Sequence, residues 1–156
     1  MKAVLFRTRN RHLLFLIFCT FLFPAQQASS QYMTTVAGSG VNGYTGDGGP
    51  AIQAGLPFPF SISFDAAGDL YVTCFNMIRK IDRQTGIITR FAGNGDYVHA
   101  GDGGPALTAS LLSASAVSSD KRGAVYIADY TANRIRKVDA NGMITTFAGN
   151  GTEGFS

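Results

Sequence analysis

From Phe60 onward the chain alternates apolar and polar positions in short runs, each closed by a turn-forming residue. The runs Phe60 to Asp65, Asp69 to Phe75, Ile78 to Arg83 and Gly86 to Ala92 are rich in Val, Ile, Tyr, Phe and Thr, which suit a half-buried pleated surface. They predict four strands. Ala67-Gly68-Asp69 and Gln84-Thr85-Gly86 place a glycine where hairpin loops require positive φ, and Asn76 separates the second run from the third. Connections this short predict an antiparallel meander. The order returns in Ala114 to Ser119, Ala124 to Asp129, Arg134 to Asp139 and Met143 to Ala148, with turns at Lys121-Arg122-Gly123 and Asn141-Gly142. Upstream, Gln31 to Ala37 reads as one further strand ending in Thr34-Thr35-Val36. Gly38 to Gly49 reads as a shaped loop and not a strand, since Pro50 lacks the amide hydrogen of a central ladder; a short turn follows at Ala51 to Gly55.

The two meanders belong to a longer repeat. Gly46-Asp47-Gly48-Gly49-Pro50-Ala51 recurs as Gly101-Asp102-Gly103-Gly104-Pro105-Ala106, 55 positions on, and Ala37-Gly38-Ser39, Ala92-Gly93-Asn94 and Ala148-Gly149-Asn150 follow at intervals of 55 and 56. Ile78-Arg79-Lys80-Ile81-Asp82 matches Ile135-Arg136-Lys137-Val138-Asp139, with the first unit two residues shorter before that point. The units span about 38–93 and 94–149. Four short antiparallel strands in a unit of this length mark a propeller blade. A blade leaves apolar faces uncovered unless neighbours stack on it, and closed propellers hold roughly four to eight. The expected fold is all-β, with about two four-stranded antiparallel blades of a partial propeller. Gly151 to Ser156 repeats the approach that Gly40 to Thr45 makes to the first Gly-Asp-Gly-Gly-Pro-Ala, and three readings stay open: a fragment, a truncated gene product, or a chain that closes its ring as a homo-oligomer.

Composition changes the picture at the N-terminus. Lys2, Arg7, Arg9 and Arg11 precede the apolar run Leu13 to Phe23, then Pro24 and the small residues Ala28-Ser29-Ser30. That order is a secretory signal over residues 1–30, with cleavage after Ser30, leaving 31–156 as the folded segment. The run is short of the roughly 20 residues of a membrane-spanning helix, so no stable membrane insertion is expected after cleavage. Removal takes 4 of the 13 basic residues and none of the 10 acidic ones, so the net charge moves from +3 to −1. The basic pI is therefore a property of the leader, and it does not argue for nucleic acid. Cys74 becomes the only cysteine, and no internal disulfide is possible.

Gly123 through Asp129, Asn133 through Asp139 and Gly142 through Gly149 resemble an NHL repeat. The first unit matches less fully, with Thr73 and Cys74 where the second has Ala128 and Asp129. The Gly-Asp-Gly-Gly-Pro-Ala loop is similar to the variant in secreted bacterial NHL proteins and in the NHL propeller of teneurins. This resemblance covers about residues 33–156 and implies an NHL-type propeller; it implies little about activity, because the scaffold hosts many.

Asp47 and Asp102 are the most conspicuous repeated acids and are candidate binding residues. Calcium takes six to eight oxygen ligands and each loop offers one acid, so the expectation is that these carboxylates bond the backbone amides of the Gly-Gly turn. In Arg79-Lys80 and Arg136-Lys137 strand alternation sends neighbours to opposite faces, with Asp82 and Asp139 near enough to offset them, which disfavours a phosphate or RNA surface. Asp129, Asn133 and Arg134 flank a turn and are candidates for binding or for capping that turn. His99 and Cys74 lack partners for catalysis, and no HExxH, GxSxG or CxxC pattern occurs after the leader. Asn150-Gly151-Thr152 fits a glycosylation sequon. These features lead to the expectation of a secreted or periplasmic binding or scaffold module for a protein or glycan, without a cofactor. The alternative is a metal-dependent lyase or lactonase whose ligands lie in blades beyond this sequence.

Overall fold

In the computed structural model the described residues are 32–154. The leader expected over residues 1–30, with its cleavage point after Ser30, lies outside them. Two antiparallel sheets make up the fold. Blade 1 contains β1 (Gly49–Pro50), β2 (Pro59–Phe64), β3 (Leu70–Cys74), β4 (Met77–Ile81) and β5 (Ile87–Ala92), in the order β1-β5-β4-β3-β2. Blade 2 contains β6 (Gly104–Pro105), β7 (Ala114–Ser119), β8 (Val125–Asp129), β9 (Arg134–Val138) and β10 (Met143–Ala148), in the order β6-β10-β9-β8-β7. The eight long strands lie within two residues of the runs expected from alternation.

Two expectations need correction. Each sheet has a fifth strand, because Gly49 and Pro50 pair with Ile88 and Ile87, as Gly104 and Pro105 do with Ile144 and Met143. Proline is tolerated there because the pair forms the outer edge, where no further strand requires its missing N–H. Thr34-Thr35-Val36 is not a strand; all three residues are exposed and unpaired, since no sheet lies beside them. The end of that segment is nonetheless seated. Gly38 donates its N–H to the Ala51 carbonyl at 2.9 Å, as Gly93 does to Ala106 at 3.0 Å, so each Ala-Gly step is tied to the loop of the unit that follows it.

Alternation gives each sheet two faces. In blade 1, Leu70, Val72, Cys74, Met77 and Ile81 point one way, with Ala51, Ala54 and Ile88 packed among them. Tyr71, Ile78 and Ala92 point the other way, into blade 2, where they join Ala106, Ala109, Leu111, Ala114, Val117 and Ile127 in one core. Serines stitch the inner strands: Val117 N–H donates to Ser61 Oγ at 3.3 Å and Ser119 N–H to Ser63 Oγ at 3.2 Å. Ala114 N–H donates to the Phe75 carbonyl at 2.6 Å at one end of this seam. The covered and uncovered copies of one face differ accordingly: Ile78 is fully buried, whereas its counterpart Ile135 is only half-buried. Burying a side chain of that size is worth about 1.5–3 kcal/mol, so stacking of blades is a main source of stability.

The Ala-Gly steps allow little change. At Gly93, φ is +89° and an added Cβ would lie 2.4 Å from the Asn76 carbonyl oxygen; at Gly86, φ is +69° but nothing lies within 4 Å. Gly93→Ala is expected to destabilise by clearly more than Gly86→Ala, and by more than about 1 kcal/mol, in urea titrations followed by circular dichroism. Equal midpoints for the two variants would contradict the close approach.

Candidate functional site

The repeated acids do not bond the Gly-Gly amides. Gly48 N–H instead donates to the Ile88 carbonyl and Gly49 N–H to that of Gly46, which zips the loop to the outer strand. Each acid reaches a buried arginine of its own blade: Asp47 Oδ1 lies 2.8 Å from Arg79 Nη2, and Asp102 Oδ1 lies 2.8 Å from Arg136 Nη2. The arginine side chains are 2% and 0% exposed and the carboxylates 54% and 42%, so the cation is desolvated while the anion keeps part of its water. Arg79 also donates to the Gly55 and Thr45 carbonyls, and Arg136 to the Ser110 carbonyl. These bonds hold the approach to the loop and the turn after it on one guanidinium. Burial works against ionisation of Asp102, but the Thr146 hydroxyl and the Arg136 charge outweigh it and hold the carboxyl below its usual range.

The basic pairs are split across the sheet as alternation requires, but Asp82 and Asp139 do not offset them. Their carboxylates accept from the turn amides of Gln84 and Thr85, and of Asn141 and Met143. Lys80 pairs instead with Asp69 at 2.8 Å and lies over the Tyr71 ring.

Asp129, Asn133 and Arg134 are brought together. With Ser115, Tyr130 and Gly149 they line a cavity of about 300 Å³ on the free face of blade 2. Asp129 is fully buried, and its Oδ1 accepts from Leu112 N–H and Ser113 N–H at 3.0 and 2.9 Å, anchoring the loop that leads into β7. Asn133 has φ +49° and completes the β8–β9 turn. Arg134 donates to the Ala132 and Asn150 carbonyls, both at 3.0 Å. Asp129 Oδ1 and Arg134 thus have local structural partners, Asn133 is used through its backbone, and Asp129 Oδ2 is buried without a hydrogen-bond partner. Asn150 is exposed, and its Oδ1 accepts from Thr152 N–H.

His99 Nδ1 lies 3.3 Å from Arg136 Nη1. Burial, and then the Arg136 and Arg134 charges, push the His99 pKa below its usual value. Burial pushes the Cys74 thiol up to about 11, which keeps it protonated as a small apolar group. Among the described residues no group of three His, Cys, Asp or Glu side chains is placed to hold a metal ion, and no helix is long and apolar enough to cross a membrane.

Alternation did not disclose a row of loop aromatics. Phe58, before β2, packs at a tilt on Phe75 of the β3–β4 turn at 5.9 Å between centroids, and Phe75 packs at a tilt on Tyr97 of the loop entering blade 2 at 5.2 Å. Phe58 and Tyr97 are 57% and 55% exposed, and Tyr130, in the β8–β9 turn that corresponds to the turn of Phe75, is 74% exposed. Phe58 and Tyr97 have no aromatic counterpart one repeat away, so nothing in the periodicity marks them.

The family profile of the Teneurin NHL domain matches residues 92–154. Teneurin-1 of Gallus gallus is 51% identical over 55 residues, 35% of this chain and 2% of that protein. Teneurin-3 of Mus musculus is 39% identical over 98 residues, 53% of this chain and 4% of that protein. The chain thus spans only a small part of the relatives it matches. Among solved structures, a Bacteroides thetaiotaomicron protein of unknown function superposes with a TM-score of 0.56 at 26% identity, over 65% of this chain and 26% of that one.

Asp102→Ala leaves the Arg136 guanidinium buried without its carboxylate, and is expected to cost about 2 kcal/mol of unfolding free energy. The double variant Asp102→Ala/Arg136→Met should recover part of that loss relative to the summed single changes, a coupling that a double-mutant cycle in denaturant reads directly. His99 supplies a pH test. The unfolded chain takes up this proton near pH 6.5 and the folded chain only at lower pH, so stability falls as pH drops below about 6.5. Between pH 7.5 and 5 the decline in Tm should be shallower in His99→Gln than in wild type.

Proposed function

Because this chain belongs to the NHL-repeat β-propeller family, we propose that it is an exported binding or scaffold module that holds a protein or glycan on the aromatic rim formed by Phe58, Phe75, Tyr97 and Tyr130. The observation that carries this reading is the row of three tilted rings on loops, the outer two exposed and Phe75 half-buried between them, set beside repeated charged residues that are already committed to structure. Aromatic rings offer large contact area at low side-chain entropy cost, either to the apolar side chains of a protein or to the flat face of a sugar. The Asp47–Arg79 and Asp102–Arg136 pairs, by contrast, fasten loops to their own blades, with both arginines buried. Export is supported by the leader-like order of residues 1–30.

The test is a binding screen of the chain on a glycan array and on a panel of immobilised extracellular proteins, repeated with Tyr97→Ala/Tyr130→Ala. Both tyrosines are exposed, so the variant should keep the wild-type Tm while losing at least about tenfold in affinity for any confirmed hit, as expected for aromatic interface residues. Hits that survive both substitutions unchanged would move the binding surface elsewhere. Turnover of a small substrate with no protein or glycan bound would replace the binding reading with an enzymatic one.

A further inference from the structure

Beside the row of loop aromatics lies a small charged cavity, and both belong to one surface. Tyr44, Asp47, Met77, Arg79 and Arg90 line a space of about 80 Å³ on blade 1. Met77 follows Phe75-Asn76 directly, and Asn76 ties the two places together. Its Oδ1 accepts from the Tyr44 hydroxyl, while its Nδ2 donates to the Gly95 carbonyl at 2.6 Å, two residues before Tyr97. All of these residues lie in blade 1 or in the loop that enters blade 2. The corresponding position in blade 2 has a blade stacked ahead of it and still leaves the Asp102 carboxylate 42% exposed. By the repeat, a blade ahead of blade 1 leaves Asp47 and Arg90 accessible as well.

The charges of this cavity do not balance. Arg79 and Arg90 are register partners on β4 and β5, and like charges opposite one another destabilise a sheet. Asp47 pairs with Arg79, whereas none of the ion pairs among the described residues uses Arg90, which is exposed. Blade 2 has Thr146 in that place, opposite Arg136, so the clasp of loop to strand does not require a second cation. Arg90 is thus free to take an anion from outside, and a guanidinium suits a carboxylate, which it can meet through two parallel N–H bonds. The surroundings favour a protein over a sugar as the source of that carboxylate. Neighbouring rings of the row are tilted by 52° and 40°, which gives successive sugar rings no common plane but gives an apolar side chain a notch. The Asn76 amide and the Tyr44 hydroxyl, which could answer sugar hydroxyls, are already bonded within the chain. We propose that Arg90 recognises an Asp or Glu of a protein partner, and that an apolar side chain beside that acid packs on Phe75 and Tyr97. This inference rests on the aromatic rim as the binding surface and narrows its partner to an acidic protein segment.

Fluorescence polarisation with labelled short peptides tests this, each peptide carrying one Asp or Glu and one Phe or Leu separated by one to three glycines, beside copies in which the acid is Asn or Gln. The acidic peptides are expected to bind with an affinity that falls as salt rises, and the amide copies at least about tenfold more weakly. Arg90→Thr places at this exposed position the residue that blade 2 carries, so the Tm should hold. It should weaken the acidic peptides at least about tenfold and leave the amide copies unchanged, whereas Tyr97→Ala should weaken both sets. Amide copies that bind as well as the acidic ones, or acidic peptides indifferent to Arg90→Thr, would overturn the proposal. If those peptides still lose affinity in Tyr97→Ala, the aromatic rim stands as the binding surface and only the charge recognition fails; no loss in either variant removes both. Absence of binding by every peptide up to about 1 mM also overturns it. So does Arg90-dependent binding of carboxylate-bearing glycans alone, which makes the partner a glycan.

Discussion

Each blade depends on one ion pair that crosses it from loop to strand. The arginine of β4 or β9 sits among apolar neighbours with almost no exposure, and the acid of the Gly-Asp-Gly-Gly-Pro-Ala loop is what makes a guanidinium tolerable there. The loop must therefore lie over the strand. The glycines follow from that requirement, since Gly46 and Gly101 approach Ala54 and Ala109 so closely that a Cβ would stand 2.9 and 2.6 Å from their Cα atoms. Gly48 and Gly103 adopt positive φ as the loop turns towards the outer strand, and Ala51 and Ala106 close the packing beneath it. A motif that looks like a ligand-binding signature is a local clasp.

The acid and arginine of the clasp are the same in both units, while residues around them vary. Tyr44 and His99 occupy equivalent places above the arginine, yet Tyr44 reaches the Asn76 side chain and the Cys74 carbonyl while His99 contacts Arg136. The β3–β4 turn is two residues shorter than the β8–β9 turn, and it carries Phe75 within the aromatic row. Loop surfaces of this kind change without disturbing the sheets, which is how one scaffold supports different partners.

Period-two alternation and turn residues determined the eight long strands, and identical spacing of the two loops determined that there are two blades of one design. These features are local: a strand with one buried face records that face in its own sequence, and a hairpin turn records the need for positive φ. The split of Arg79 from Lys80 across the sheet was legible for the same reason. The destination of each charge was decided only in the folded chain. Asp47 and Arg79 are 32 residues apart and Asp102 and Arg136 are 34, and nothing in alternation says that a loop acid reaches a strand arginine and not a glycine amide. Thr34 to Val36 has the composition of a strand but no neighbouring edge to pair with, while Gly49-Pro50 has the composition of a loop and pairs because it meets the outer edge of β5. The Phe58, Phe75 and Tyr97 row is likewise a product of three loops meeting in space. Sequence settles what depends on near neighbours along the chain, and tertiary structure settles what depends on which edges, charges and rings arrive at the same place.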